Sequence, residues 1–310
     1  MPGKRSKTLA PIPSSHSAET AYREKLQAAV RLMTRSYQHW LGARYREALD
    51  ENLDAGIVPD SSDTAHAQDA GPKWSRNRLF KELDRLRKYW DNYFADLAKK
   101  LAGDTVNALY KANKVAWAGQ VRKAGFDIAM QLTKPQAAIL DVSVRENVSL
   151  IKSIPQQFHT SIEGVVSRGF VAGRDLNAIA TEIVKHEGIT TRRAAFIARD
   201  QSNKLTAQMN SARQGQLGLQ WAVWRHSSAG KEPRAAHVRA SREEWIYDTQ
   251  VGIDFGDGFG FVLPGVAINC RCGGRTLIPS IARGLTSGKQ FDPSKLVAVP
   301  GFPGAYKMAA

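Results

Sequence analysis

Residues 79–101 read LFKELDRLRKYWDNYFADLAKKL, and the spacing of their apolar side chains decides the fold class. Leu79, Leu83, Leu86, Trp90, Phe94, Leu97 and Leu101 recur at intervals of 4, 3, 4, 4, 3 and 4. That period lies close to the helical value of about 3.6 and covers one face of an α-helix. Lys81, Glu82, Asp84, Arg85, Arg87 and Lys88 occupy the other faces. We read the stripe as core, with a partner-binding seam as the sharper alternative. Gly103 is expected to end this helix, and Asp104 to cap another running to about Val121.

The same pattern extends outward. Upstream, Leu26, Val30, Met33, Tyr37 and Trp40 predict a helix from Ala18 to about Leu53. Between the two lies GIVPDSSDTAHAQDAGPK (56–73), whose Gly, Pro, Ser and Asp content predicts a linker. Residues 1–17 hold prolines and hydroxyl residues without apolar periodicity, the composition of a flexible arm. Downstream, Ser143 and Glu146 have capping-box spacing ahead of Val144, Val148, Ile151, Phe158, Ile162 and Val165. Pro155 inside that run predicts a kink or restart. Asp175 is expected to cap a short helix with Leu176, Ile179 and Ile183, stopped by Gly188. Thr190 or Thr191 would open a last helix over 192–214, closed by Gly215 and Gly218.

Beyond Gly218 the pattern changes. Residues 220–225, QWAVWR, have strand character. GIDFGDGFGFVLPG (252–265) carries Asp257-Gly258 between aromatics, a hairpin signal. Arg275–Ile278 predicts another strand. The fold class is therefore mainly α: an elongated helical body, a small α+β module and an extended C-terminal tail. The expected divisions are a helical region over 18–130, a second helical part over 131–218, the module over 219–282 and the tail over 283–310. The tail is expected to order only against a partner.

Length and composition bound the function. A 310-residue chain can bury a substantial core, and two cysteines exclude a disulfide scaffold. Folding in a reducing compartment is expected. No apolar run approaches the ~18 residues of a membrane-spanning helix, and the N-terminal stretch lacks the apolar core of a secretory signal. The net charge of +15 is spread along the chain, not gathered in one arm. It suits either a nucleic-acid or acidic-protein partner, or a cationic surface with neither role.

Few residues can carry chemistry. Gly256-Asp257-Gly258-Phe259-Gly260 is flanked by strand-like residues on both sides, which argues against a phosphate cradle. The chain contains neither Gly-x-Ser-x-Gly nor His-Glu-x-x-His. The distinctive stretch is Pro264–Cys272, PGVAINCRC, which holds both cysteines. A disulfide across Cys-x-Cys closes a small strained ring. Cys270 and Cys272 could instead ligate zinc, with His237 as a further ligand and His226 as a fourth. The alternative is two buried, reduced cysteines. Arg271 between them could fix the loop.

An ordered set of residues resembles the phage Mu protein F-like head morphogenesis family, also called minor capsid proteins. The set is Arg193-Ala-Ala-Phe-Ile-Ala-Arg199-Asp200 with Asn203, a strand ending at Trp224, then Arg234 and His237, then Pro264 leading into Asn269-Cys270-Arg271-Cys272. It covers about 145–280. Family members carry an Asp within a D-x-R…H run. Here the run is HSSAGKEPR (226–234), Glu232 is only a loose substitute, and no role for that carboxylate carries over.

The resemblance implies a few-copy protein of the phage head, found at the portal vertex of the virion and assembled in the host cytoplasm. Its implied partners are the portal and other head proteins, with packaged double-stranded DNA as a further acidic partner. It implies His237, Cys270 and Cys272 as metal ligands. A non-enzymatic assembly role leads. One competitor is a metal-dependent nuclease using His237, for which Glu243 and Glu244 are the closest carboxylates in sequence. The other is a sequence-independent DNA-binding protein, resting on charge alone.

Overall fold

The structure is a computed structural model that describes residues 8–54, 73–171, 176–228, 232–278 and 291–309. The expected linker over 56–73 lies outside these residues except for Lys73, as do the Asp175 cap and residues 279–290. The chain is mainly α, as its periodicity predicts. The long helices are α1 (His16–Asp54), α2 (Lys73–Lys123), α3 (Lys134–Val171) and α4 (Leu176–Gln216). It divides into two compact units, one of residues 1–20, 103–145 and 198–310, the other of 21–102 and 146–197.

The second unit is built from stretches of all four long helices. Its core contains Leu26, Val30, Met33 and Tyr37 of α1 and Leu79, Leu83, Leu86, Trp90 and Phe94 of α2. Ile151, Ile154, Phe158 and Ile162 of α3 and Ile179, Ile183 and Ile197 of α4 are also buried. The stripe over 79–101 is thus core. Trp40 is the exception upstream: it is half-exposed, and the Arg85 guanidinium lies 4.8 Å over its ring. Two buried polar pairs link helices across this core. Tyr22 Oη donates to Asn147 Oδ1 at 2.7 Å, and Tyr37 Oη lies 3.0 Å from His159 Nδ1.

Three expected helix boundaries do not exist. Gly103 sits inside α2, Ser143 inside α3, and Gly188 and Thr190 inside α4. A glycine in a helix costs only about 1 kcal/mol relative to alanine, which flanking core residues such as Leu101, Ala102 and Val106 outweigh. Ser143 is buried mid-helix, so no first-turn amides await it. The true start of α3 is a capping box one pattern earlier: Thr133 N donates to Gln136 Oε1 at 3.3 Å, and Gln136 N to Thr133 Oγ1 at 3.4 Å. Thr190 Oγ1 donates back to His186 O at 2.8 Å instead of capping. Helix α3 continues through Pro155 without a restart. The end of α4 falls where Gly218 predicts: this residue has φ +65, Leu219 N bonds Gln214 O, and Gly218 N bonds Gly215 O. That pair of bonds is a Schellman motif.

The first unit carries the sheet. Its strands are β1 (Thr8–Leu9), β2 (Trp221–Arg225), β3 (Ile246–Asp248), β6 (Gly273–Leu277), β7 (Leu296–Ala298) and β8 (Tyr306–Met308), in the order β1-β6-β2-β3-β8-β7. All neighbours are antiparallel. Strand β2 explains the Trp-rich signal. Val223 packs with Ile246, Leu277 and Phe291 on one face, while Ala222 and Trp224 pack with Trp245 and Tyr247 on the other. A two-residue period with both faces buried makes nearly every position apolar. Strands β4 (Ile253–Asp254) and β5 (Phe261–Val262) form the hairpin expected around Asp257-Gly258.

The arm and the tail differ from expectation. Thr8–Leu9 pair with Leu277 and Thr276, and Leu9 and Ile12 are buried with Trp117, Val121 and Met130. The Asn210 amide joins this region: its Oδ1 accepts from Asn113 and Trp117, and its Nδ2 donates to Ile12 O. At the other end, Phe291, Val299 and Ala305 are buried and β7–β8 close a hairpin onto β3. Residues 8–12 and 291–309 therefore order against their own chain. Strands of two or three residues are too short to show periodicity, so the sequence carried no sign of them. No helix among the described residues is long and apolar enough to cross a membrane.

Candidate metal centre

Helix α5 (Ala235–Arg242) and the loop entering β6 bring the thiols and one imidazole together. His237 lies on α5, and its Nδ1 is 3.7 Å from both Cys270 Sγ and Cys272 Sγ. The three donor atoms lie within 4.8 Å of one another, and all three residues are buried. The ring of His237 is held by packing. Its centroid lies 4.9 Å from that of Trp224 and 4.3 Å from that of Phe255. Its Nε2 is buried with no hydrogen-bond partner among the described residues, which leaves Nδ1 as the nitrogen that meets the thiols.

The loop is shaped before it is filled. Gly265 has φ +96, a left-handed conformation that suits glycine, and its N–H donates to Cys270 Sγ at 3.4 Å. Asn269 is also left-handed, with φ 60. Helix α4 fastens this stretch from outside: Arg199 Nη2 donates to Asn269 Oδ1 at 2.8 Å and Asn203 Nδ2 to Cys270 O at 3.3 Å. Pro264 is buried in the turn, where Val266 N bonds Leu263 O. Arg234, at the N-cap of α5, donates to Ile268 O at 3.0 Å and pairs with Asp257 at 3.6 Å.

Two sulfurs this close do not both ionise. The hydrogen bond from Cys272, with those from His237 and the Cys272 and Gly265 amides, holds Cys270 well below the usual thiol range. The same pairing with Cys270, then burial, pushes Cys272 up. A bound cation would favour both as thiolates. Two sulfurs and one imidazole nitrogen are a donor set for zinc or another borderline metal. The residues present fit such an ion, with Cys270, Cys272 and His237 as its holders.

The remaining sequence candidates fall as follows. Trp224 walls the imidazole. His226 ends up outside the donor cluster: it lines an adjoining cavity of about 300 Å³, and its Nδ1 accepts the Ser228 N–H at 3.1 Å. Glu232, Arg234, Asn269 and Arg271 line the same cavity. Phe255 and Trp245, the further aromatics around the site, were not recognisable from the sequence because they lie on other strands and turns. Gly265 could have been found, since a glycine after proline signals a turn.

Residues 160–274 match the family described as Phage Mu protein F like protein. The matched span encloses Arg199, Asn203, Trp224, Arg234, His237 and the Asn-Cys-Arg-Cys loop. A Haemophilus influenzae protein with the name "Uncharacterized protein" is 25% identical over 271 residues, which is 86% of this chain and 55% of the relative. The chain thus spans about half the length of that relative. No solved structure matches.

Proposed function

We propose that this chain is a minor capsid, head morphogenesis protein of a tailed double-stranded DNA phage. It acts without enzymatic turnover, assembling near the portal and remaining at that vertex of the virion after assembly in the host cytoplasm. The observation that carries this reading is the family match over 160–274, within which the family-like residues converge on one clamp and one donor cluster. Its partners are the portal and other head proteins. The +15 charge supports contact with packaged DNA through phosphates, without sequence preference.

In this reading the donor cluster is structural. Cys270, Cys272 and His237 hold zinc, which supplies a cross-link between α5 and the loop before β6. The other parts need no ion: Arg199 and Asn203 orient the loop, and Trp224 and Phe255 exclude water from the imidazole. The test is the protein content of purified procapsids and filled heads, read by immunoblot. A few copies per particle are expected in both. Absence from both would overturn the proposal.

A further inference from the structure

We infer that the exposed face of α2 between Asp104 and Asp127, with Lys111, Lys114, Arg122 and Lys123, is the surface through which this chain grips the phosphate backbone of duplex DNA. This rests on the DNA contact proposed above and goes beyond it, because it gives that contact one surface.

The two halves of α2 differ in charge pattern. In the first half acids and bases are mixed, and Arg85, Arg87 and Lys99 each pair with the acid three residues earlier. Between Asp104 and Asp127 the sequence has no Asp or Glu, yet it holds Lys111, Lys114, Arg122 and Lys123. All four residues are exposed, and among the described residues none of their side chains makes an ion pair or hydrogen bond.

The helical period gathers these cations. Leu109, Asn113, Trp117 and Val121 are buried and set the inward face. At 3.6 residues per turn Lys111 and Arg122 fall on the opposite side, with Lys114 and Lys123 on its two shoulders. From Lys111 to Arg122 the helix rises about 16 Å, enough to face several phosphates of one strand. Arg122 and Lys123 stand in the last turn, where the helix dipole alone would favour them. Lys111 and Lys114 stand too far back for that account. Lysine is depleted at protein interfaces, whereas it serves phosphate as a mobile point charge. The composition of this face therefore favours DNA over an acidic protein.

The test is fluorescence polarisation of a short duplex of arbitrary sequence, titrated with the full chain at several salt concentrations. The stripe variant carries Lys111→Gln, Lys114→Gln, Arg122→Gln and Lys123→Gln. The control loses as many exposed charges elsewhere, through Lys25→Gln, Lys88→Gln, Lys99→Gln and Lys185→Gln. Wild-type affinity should fall steeply with salt. The stripe variant should bind about tenfold more weakly or worse, with a salt slope smaller by about 3, while the control stays within about threefold of wild type. If the stripe variant loses helicity by circular dichroism, Lys111→Gln and Arg122→Gln alone carry the test, each lowering the slope by about 1. Equal losses in stripe and control variants would mean diffuse attraction and overturn the inference while leaving the DNA contact intact. Unchanged DNA binding by the stripe variant would overturn it too, and a loss of head incorporation alongside would assign the face to an acidic protein. A wild type that binds no duplex would overturn both this inference and the DNA contact, and the immunoblot of heads would still test the capsid reading.

Discussion

Arg199 Nη2 donates to Asn269 Oδ1 at 2.8 Å, across 70 residues of sequence, and so ties helix α4 to the residue that precedes Cys270. One turn further along α4, Asn203 holds the Cys270 carbonyl. The helix motif and the Asn-Cys-Arg-Cys loop, which look unrelated in sequence, are therefore two halves of one fastening. The first half holds the backbone on which the thiols ride.

Arg199→Ala should loosen the loop without touching a donor atom. The bond is charge-assisted but exposed, so its loss should cost only about 1 kcal/mol in chemical denaturation. On the zinc reading proposed above, the larger effect is expected on the ion. Zinc transfer to a chromogenic chelator should accelerate several-fold, because holding the loop in place is what keeps the two sulfurs beside His237. An unchanged transfer rate would show that the loop needs no support from α4.

Asn269 makes two separable contributions. Its φ of 60 suits Asn and Gly but strains other residues, and its side chain receives the Arg199 bond. Asn269→Ala should lose both, at about 2 kcal/mol in all. Asn269→Gly should lose only the side-chain bond and lie between wild type and the Ala variant. Equal stability of the two variants, measured by urea denaturation, would remove backbone strain from the account.

How far the sequence foretold the molecule depends on the scale. The long helices and β2 were legible because each buries a face wide enough to set a period. Their ends were less so. Thr133-x-x-Gln136 and Ser143-x-x-Glu146 are the same capping pattern ten residues apart, and only the packing that buries Ser143 within a longer helix decides between them. Gly103 and Gly188 read as stops because a sequence shows the local cost of glycine and not the tertiary contacts that offset it. The site was legible by residue type in Cys270, Cys272 and His237. Its aromatic wall was not, because Phe255 meets the imidazole and Trp245 stacks on Phe255 through tertiary packing that no local pattern encodes.

Glu243 gives the fold a pH dependence with a defined sign. Lys307, Arg239 and the Trp245 indole all donate to its carboxylate, and these bonds depress its pKa from 4.5 to about 2. A depressed carboxylate stabilises the fold fully above its unfolded value, and the contribution vanishes as pH falls through the folded value. Glu243→Gln should therefore lower the melting temperature at pH 7, and the gap to wild type should shrink between about pH 4.5 and pH 2. Because Lys307 lies on β8, the same variant should expose the C-terminal hairpin to limited proteolysis. A gap that is constant with pH would mean that the carboxylate charge plays no part.

Two glycines near the hairpin separate backbone conformation from close approach. Gly256 has φ +70, and an added Cβ would meet nothing within 4 Å. Gly252 has φ +91, and its added Cβ would fall on the Val262 carbonyl of the paired strand. The first substitution meets only the left-handed cost, so Gly256→Ala should lose about 1 kcal/mol. The second meets that cost and a backbone atom that cannot rotate away, so Gly252→Ala should lose more than about 3 kcal/mol. It should also part β4 from β5, and with them the turn that carries Phe255 against His237. Near-UV circular dichroism, which reports the Trp224–Phe255–Trp245 packing, should then change in Gly252→Ala and stay native in Gly256→Ala. If both variants kept the native signal, the close approach of Gly252 to β5 would not be what positions Phe255.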